Sequence, residues 1–439
     1  MSNLSAFALI TVIALVILYR ARVSPESVVQ RKSHPGRAWS ALGLLIFAYL
    51  VPLIVLDPRE ATELIDEGLS QSNVIRIFVS LVLIGYSIYL LTYKRMWARI
   101  LHWPSFFLML LVVLYLGSAL WSVWPEATLF RALEVFAYFT VALFLATERN
   151  GCQKVYVLFG VIIVATLIWQ RESILENVLE NGLYRSAVSN QLGLIAASYT
   201  LLHFFLYPRR ILGYVFGLGA MLAFGSTSTL AAFMVAAGIA LGVSLMGRRG
   251  RVAGALVAVV GGLVFVFSLM DPAKHPIIMR FAVDVLGREE HHIIGATGRW
   301  VLWEAYFQEF GGNWIGSGFW AAERLFAVER GSVGVWMAIN SHNGFWSAWI
   351  GAGVAAILLL LGLYGSIFRE LFRIGRKASG LGFALITLLF LNSLTYPGIG
   401  GAASTWYFVL ALVVALTIME KKSGQLRRRV VVSEGESFR

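Results

Sequence analysis

The chain has 439 residues, of which 58% are hydrophobic and only 14% are charged. Because a soluble domain carries about 25% charged residues, this composition excludes a soluble enzyme, and the single cysteine, Cys152, excludes a disulfide scaffold. The net charge of +12 does not by itself indicate nucleic-acid binding, since basic residues also mark the cytoplasmic loops of membrane proteins, and we expect no nucleic-acid partner.

The apolar residues form blocks long enough to cross a bilayer, which takes about 17 to 25 residues. Ala38–Leu56 and Leu230–Met246, for example, contain no charged residue. We therefore predict an all-α polytopic membrane protein with about thirteen (12 to 14) transmembrane helices. The predicted spans lie near residues 4–19, 38–56, 74–91, 104–122, 128–146, 155–169, 190–207, 211–225, 230–246, 252–269, 345–365, 381–397 and 404–419.

The connections between these spans alternate in charge. One side of the membrane holds 25 Lys and Arg against 6 Asp and Glu, and the other side, with the charged residues near its span ends included, holds 11 against 18. Short basic loops stay in the cytoplasm, so we expect the N-terminus outside and the C-terminus inside. The first span lacks a basic leader and a small-residue cleavage site, and we expect it to be retained rather than removed as a signal peptide.

The span pattern divides the chain into four regions: N-terminal transmembrane helices (1–103), core transmembrane helices (104–269), a long periplasmic loop (270–344), and C-terminal helices with a basic tail (345–439). Connections as long as the third region are usually functional or disordered, and its tryptophans argue against disorder. It contains a predicted short helix with Thr297 as its N-cap and with an apolar stripe at the helical spacing of Trp303, Tyr306, Phe307 and Phe310.

Two arginines on the predicted outer side are candidate anion-binding residues. Arg185 precedes the apolar helix that begins near Asn190, where a guanidinium and free backbone N–H groups attract an anion together; alternatively it only reaches the membrane interface. Arg299 lies in the first turn of the predicted loop helix, where the helix dipole disfavours a cation. It is either a functional residue or the partner of Glu304 or Glu289 in a surface salt bridge.

His342 stands at the outer N-terminal edge of the predicted span 345–365, within Ile339–Trp346. A lone histidine is often structural, but a helix N-terminus and neighbouring arginines disfavour the imidazolium. The neutral ring that remains is the form that a general base must have. We therefore keep both interpretations, a structural histidine and a catalytic base.

The remaining motifs have simpler interpretations. Arg288–His292 contains two adjacent histidines but no further ligand cluster, so we interpret it as a solvated loop and expect neither a metal nor a cofactor. The hydroxyl groups of Ser226 and Thr227 either bind a ligand or cap two helices. The glycines of the eighth and tenth predicted spans indicate close helix packing; they are Gly213, Gly217, Gly219, Gly261 and Gly262.

Several short motifs occur in a recognisable order. They are Ala119–Leu129 followed by Arg131, Arg185 with Asn190, Ser226–Thr229, Thr297–Trp303 followed by Gly316–Gly318, and Ser341–Phe345. In this order the chain resembles the bacterial O-antigen ligase and O-antigen or exopolysaccharide polymerase family, over about residues 104–365. It departs from that family after the eighth span, where many relatives carry an arginine, and in its first hundred residues, which supply extra spans.

The resemblance implies a metal-independent glycosyltransferase of the GT-C type that spans the bacterial inner membrane. Such enzymes take a glycan from undecaprenyl diphosphate on the periplasmic face and join it to an acceptor hydroxyl. The family's essential residues correspond to Arg185, Arg299 and His342. Substrate contacts are expected from Asn190, Ser226, Thr227, Trp303 and Asn343.

The resemblance leaves the acceptor open. The motifs favour an exopolysaccharide or O-antigen polymerase, with a ligase to lipid A core next and a protein acceptor as a further alternative. Expected partners are the lipid-linked glycan, its glycan or lipid A core acceptor, membrane lipid, and chain-length regulators or flippases. A lipid-linked glycan transporter also has twelve to fourteen spans, but would be expected to show repeated halves and ionisable residues at mid-membrane depth.

Overall fold

A computed structural model of the chain describes residues 40–48, 71–94, 96–148, 150–172, 190–224, 229–243, 260–261, 298–330, 332–333, 336–337, 341–374, 376–396, 398–400 and 405–419. The regular elements in these ranges are helices, apart from one antiparallel pair of two-residue strands, β1 (Ser332–Val333) and β2 (Trp336–Met337). The expectation of an all-helical fold is therefore confirmed for the described residues.

The helices are numbered in chain order. They are α1 (40–48), α2 (Gln71–Lys94), α3 (Trp97–Ile100), α4 (Trp103–Gly117), α5 (Pro125–Thr147), α6 (Gly151–Trp169), α7 (Asn190–Leu206), α8 (Ile211–Ala223), α9 (Thr229–Val243), α10 (Gly298–Phe310), α11 (Ala321–Arg330), α12 (Gly344–Leu371), α13 (Arg376–Ser393) and α14 (Thr405–Met419). Two 3-10 turns, Ser118–Trp121 and Gly398–Gly400, follow α4 and precede α14.

Ten of the thirteen predicted apolar segments coincide with helices α2, α4 to α9 and α12 to α14. Within the described ranges, four stretches are long and apolar enough to cross a membrane, and six further apolar helices are shorter. The four are Trp103–Trp121, Pro125–Thr147, Gly151–Trp169 and Gly344–Leu371. The predicted span 4–19 lies outside the described residues, as do most of 38–56 and 252–269.

The bundle is built around α14. Every position from Thr405 to Ile418 is buried, and a helix that is apolar on all sides belongs in the interior of a bundle. Around it, α4 packs against α12, α2 against α5, and α7 against α6, α8 and α13.

A buried polar link joins α2 to α5. The Glu134 carboxylate, which is 3% exposed, accepts a hydrogen bond from the Ser80 hydroxyl at 2.8 Å and pairs with the Arg131 guanidinium at 2.7 Å. A charge in an apolar interior is tolerated when it is paired and hydrogen-bonded. This link therefore fixes the N-terminal half of α5, which carries residues of the site described below.

The α7–α8 hairpin tests the glycine predictions. A Cβ at Gly213 would lie 2.0 Å from the His203 ring, and one at Gly217 would lie 2.2 Å from the Thr200 hydroxyl oxygen, so both glycines do permit close packing. A Cβ at Gly219 or at Gly261 meets no described atom within 4 Å, so close packing at these two glycines stays a prediction. Gly262 lies outside the described residues.

The predicted loop helix is present as α10, although Thr297, its predicted cap, lies outside the described residues. Its buried face is rotated from the predicted stripe. Leu302 and Tyr306 are fully buried against α11 and α12, whereas Phe307 is 54% exposed. The aromatic spacing was misleading because Phe307 packs edge-on against Trp346 and Trp349 at the surface instead of entering the core.

Candidate functional site

Helix α12 is broken, and the 314–319 loop, which precedes it in the chain, is hydrogen-bonded to the break. Ala352 and Gly353 leave the helical conformation, with φ of −146° and 73°. The backbone groups freed by the break are bonded by the 314–319 loop, in which Ser317 and Gly318 donate their N–H groups to the carbonyls of Ile350 and Gly351 at 2.7 and 3.0 Å. In return the Val354 N–H donates to the Trp314 carbonyl at 3.0 Å.

The other side of the 314–319 loop is held by the C-terminal end of α4 and the N-terminal end of α5. The Phe319 N–H donates to the Ser118 hydroxyl at 3.0 Å, and its carbonyl accepts from the Thr128 hydroxyl at 3.1 Å. The Phe319 ring stacks on Tyr115 with centroids 3.8 Å apart. A Cβ at Gly318 would lie 2.3 Å from the Ser122 hydroxyl oxygen, so only glycine fits there.

The loop thereby positions α11, which begins two residues later, against the start of α12. That start is a tight turn, Ser341–Asn343, which we call the His342 turn. His342 has φ 49°, a left-handed conformation that few residues other than glycine adopt without strain. It is half-buried and lies edge-on to Tyr396, with ring centroids 6.3 Å apart.

Asn343 is the N-cap of α12. Its side-chain oxygen accepts hydrogen bonds from the Phe345 and Trp346 N–H groups at 2.9 and 3.2 Å, which satisfies two donors that a helix start leaves free. Its amide nitrogen donates to the Leu394 carbonyl at 3.2 Å. The residue that caps the helix is therefore Asn343, and the imidazole of His342 stands one position before it.

Trp303 of α10 reaches the same turn. Its indole N–H donates to the Ser341 carbonyl at 2.7 Å. Of the eight predicted site residues, Trp303, His342 and Asn343 are thus brought together. The observed contacts of Trp303 and Asn343 are structural, and their substrate contacts remain predictions.

A buried carboxyl group, which sequence reasoning missed, lies under the turn. Glu323 of α11 is 6% exposed and accepts hydrogen bonds from the Ser341 N–H at 3.0 Å and from the Ser347 hydroxyl at 2.7 Å. Burial raises the pKa of this carboxyl, and the hydrogen bonds from Ser347 and Ser341 oppose that shift only in part. The helical pattern around Glu323 gave no signal, because an acid near a helix start is ordinarily explained by the helix dipole.

Two guanidinium groups pack on Trp320, the residue that precedes α11. Arg324 of α11 and Arg131 of α5 lie 5.1 and 4.6 Å from the centre of the Trp320 ring, within the range of cation–π attraction. The charge of Arg324 also acts on Glu323 and on Tyr396, the ring that packs against His342. Neither arginine was among the predicted site residues, although Arg131 follows the first of the motifs that carry the family resemblance.

The structure describes the other five predicted site residues in less detail. Arg185, Ser226 and Thr227 lie outside the described residues. Position 190 begins α7 and position 299 is the second residue of α10, and only the backbone of these two positions is described. Position 299 precedes position 303 by one helical turn, so the two share a face of α10. Within the described ranges no three His, Cys, Asp or Glu side chains come close enough to bind a metal ion.

Taken together, the described helices are those of an all-helical membrane protein, with a polar turn and a buried carboxyl group at one end of a broken helix. Comparison with known proteins does not narrow this class, because the chain matches no protein-family model and has no significant similarity to any curated protein sequence.

Proposed function

We propose that the protein is an inner-membrane glycosyltransferase of the GT-C type. It moves a glycan from undecaprenyl diphosphate to an acceptor hydroxyl on the periplasmic face, as an exopolysaccharide or O-antigen polymerase. The alternative acceptor is lipid A core, which would make the protein an O-antigen ligase. The membrane arrangement belongs to the proposal: thirteen spans, with residues 270–344 outside and the C-terminal tail inside.

One observation carries the proposal: motifs distant in the sequence that support the resemblance converge in space. Ser122 and Thr128, from the first motif, contact Gly318 and Phe319 of the 314–319 loop. That loop fills the break in α12, whose first residues belong to the His342 motif. Residues that serve one reaction have to be assembled in this way, whereas residues that only form separate helix ends do not.

In the proposed reaction the acceptor oxygen attacks the anomeric carbon as the bond from that carbon to the diphosphate oxygen breaks. The neutral imidazole of His342 takes the hydroxyl proton. The diphosphate leaves with its negative charge stabilised by guanidinium groups, each of which can donate hydrogen bonds to two phosphate oxygens at once. Arg185 and Arg299 have this role in the proposal, and in-line attack inverts the anomeric configuration.

The broken helix bears on the transporter alternative. Transporters use such breaks to expose backbone groups to a substrate. In α12 the backbone groups next to the break are occupied by the 314–319 loop, which favours a fixed scaffold over a moving gate. The enzyme is therefore the better supported class.

The test uses purified protein in proteoliposomes with a lipid-linked glycan. We expect release of undecaprenyl diphosphate with formation of longer glycan and without net transport. His342→Gln keeps a hydrogen bond but cannot accept a proton, so turnover should fall by about 10² to 10⁴ while carrier binding persists, and the fall in wild-type rate at acid pH should vanish. Arg299→Lys should also lose most turnover, since a point charge does not replace two-point contact with phosphate.

Near-native turnover of His342→Gln would leave His342 a structural residue, and net glycan flux without carrier release would replace the enzyme by a transporter. Gene deletion separates the two acceptors. Loss of long surface polymer identifies a polymerase, whereas polymer that accumulates on its carrier and is missing from lipid A core identifies a ligase.

A further inference from the structure

The hydroxyl groups beneath the His342 turn form a continuous chain. The Glu323 carboxyl oxygen lies 2.7 Å from the Ser347 hydroxyl oxygen, that oxygen lies 2.9 Å from the Ser341 hydroxyl oxygen, and the Ser341 hydroxyl oxygen lies 2.8 Å from the Asn343 carbonyl oxygen. Each of the three distances is that of an O–H···O hydrogen bond. The chain runs from α11 to the residue that follows His342.

The three hydrogen bonds need three protons, and the two serines supply only two, because a hydroxyl group has one proton to donate. If Glu323 were ionised, one of these three pairs of oxygen atoms would have no proton between its members and would form no hydrogen bond. A proton on Glu323 Oε1 completes the chain by reversing its hydrogen bond with Ser347: the carboxyl group donates to Ser347, which then donates to Ser341, and Ser341 donates to the Asn343 carbonyl. The Ser341 N–H lies 3.0 Å from this same Oε1 oxygen, which accepts more weakly as a carboxylic acid than as a carboxylate, so protonation exchanges part of that hydrogen bond for the completed chain.

We infer that Glu323 is protonated in the folded protein at neutral pH and that, through Ser347 and Ser341, it is the positioning residue that fixes the His342 turn. Its effect on catalysis rests on the proposed function, whereas its protonation does not. Glu323 contacts the backbone on one side of His342 and, through the serines, the backbone on the other side. The left-handed conformation of His342 is thereby held in place.

The groups around Glu323 agree with a neutral carboxyl group. On its own helix, Glu323 interacts with the charge of Arg324, and the Arg324 guanidinium packs over Trp320. Tyr306 of α10 and Tyr115 of α4 lie close enough to interact with its charge, and the His342 turn closes the side toward α12. Among these described neighbours, burial outweighs the hydrogen bonds and Arg324 and raises the pKa of Glu323.

The sign of the pH dependence follows from that direction. An acid whose pKa is raised by folding binds its proton more tightly in the folded state, so its contribution to stability is complete at low pH and is lost as pH rises toward the folded pKa. Over that range the folding equilibrium constant should fall by about tenfold per pH unit on account of this one group. Glu323→Gln replaces the carboxyl by a neutral group that still donates and accepts, so it should remove this loss.

The experiment measures the apparent melting temperature of the purified full-length protein in detergent between about pH 5 and pH 9, a range above the pKa of an unperturbed glutamate. We expect the wild type to lose stability relative to Glu323→Gln as pH rises. The matched control is Glu309→Gln, since Glu309 is a surface carboxylate on neighbouring α10 that pairs with Arg330 at 3.3 Å. It should not alter the pH profile. An infrared band of a protonated carboxyl group should be present in the wild type and missing from Glu323→Gln.

Glu323→Ala and Ser347→Ala should each lower the melting temperature, and the double variant should add little, because either change already interrupts the chain. If either alanine variant does not fold, the comparison of wild type with Glu323→Gln suffices. Wild-type stability that rises with pH relative to Glu323→Gln, or the absence of the infrared band, would overturn the inference and make Glu323 an ionised partner of Arg324.

These measurements need no transferase assay, so their outcome is independent of the proposed function. In the transferase assay, Glu323→Ala should lower kcat with little change in the KM for the carrier, and Glu323→Gln should restore most of the loss. A Gln variant as inactive as Ala would show that an ionised carboxylate is needed and would overturn the positioning role.

Discussion

At the scale of single residues, the site contains side chains whose polar atoms are already hydrogen-bonded within the protein. Asn343 illustrates this, because both ends of its amide are bonded to the backbone, to the start of α12 and to Leu394. A residue with such bonds contributes first to stability. Any contact it makes with substrate has to coexist with the cap.

Asn343→Ala should therefore lower the free energy of unfolding by about 1 to 2 kcal/mol, the range measured for lost N-caps. Denaturant unfolding in detergent measures the change. Asn343→Asp is the matched control, since a carboxylate still accepts from the helix start and loses only the donor to Leu394, and it should recover most of the loss. An alanine variant of unchanged stability and raised KM would instead assign Asn343 to substrate binding alone.

At the scale of elements, the broken helix α12 and the 314–319 loop form one unit. The loop supplies the hydrogen bonds that the break removes from α12, and non-helical backbone in a membrane helix is tolerated where protein covers it. The fit is close on both sides: a Cβ at Gly316 would lie 2.6 Å from the Ala352 nitrogen, and one at Gly353 would lie 1.9 Å from the Trp314 oxygen. The first eight residues of α12, and the His342 turn with them, are held by this unit.

Gly353→Ala should separate the loop from the helix. The new methyl group meets backbone rather than a flexible side chain, and alanine is strained at φ 73°, so we expect a loss of at least about 1 to 3 kcal/mol in unfolding free energy. Gly365→Ala on the same helix is the control, because its Cβ meets no described atom within 4 Å, and it should be neutral or stabilising by up to about 1 kcal/mol. Equal melting temperatures for the two variants would contradict the role of the break.

At the scale of the whole molecule, the arrangement in the membrane follows from the charges of the loops. The 25 basic residues on one side against 11 on the other predict that α10 and α11 lie outside, on the same side as the His342 turn. The side that faces the periplasm decides whether the site can meet a glycan presented there.

Cysteine labelling measures this arrangement. In a Cys152→Ala background, Gly250→Cys and Ser332→Cys should react with a membrane-impermeant maleimide from opposite sides of the inner membrane, the second from the periplasm. Intact spheroplasts and inverted vesicles serve as reciprocal controls. Labelling of both positions from one side would contradict the arrangement and, with it, the proposed function.

The sequence alone determined the helical class and the positions of the apolar segments from α2 to α14, because a bilayer demands unbroken apolar blocks whose length and charged flanks can be counted along the chain. It also located His342 at the start of a helix. The face of α10 that is buried was predicted wrongly from aromatic spacing, since aromatic rings such as Phe307 pack at the surface when other rings lie beside them.

Only the tertiary structure decided what surrounds His342. Glu323, Ser347 and Trp303 reach the turn from three helices, and the 314–319 loop enters a break that a continuous apolar run conceals. A helix break at a glycine does not interrupt the apolar run that predicts the helix. Hydrogen bonds between residues 18 to 38 positions apart leave no periodic pattern in the sequence. Such contacts depend on how helices meet rather than on how each one forms, which is why local patterns predicted the elements but not the chemistry between them.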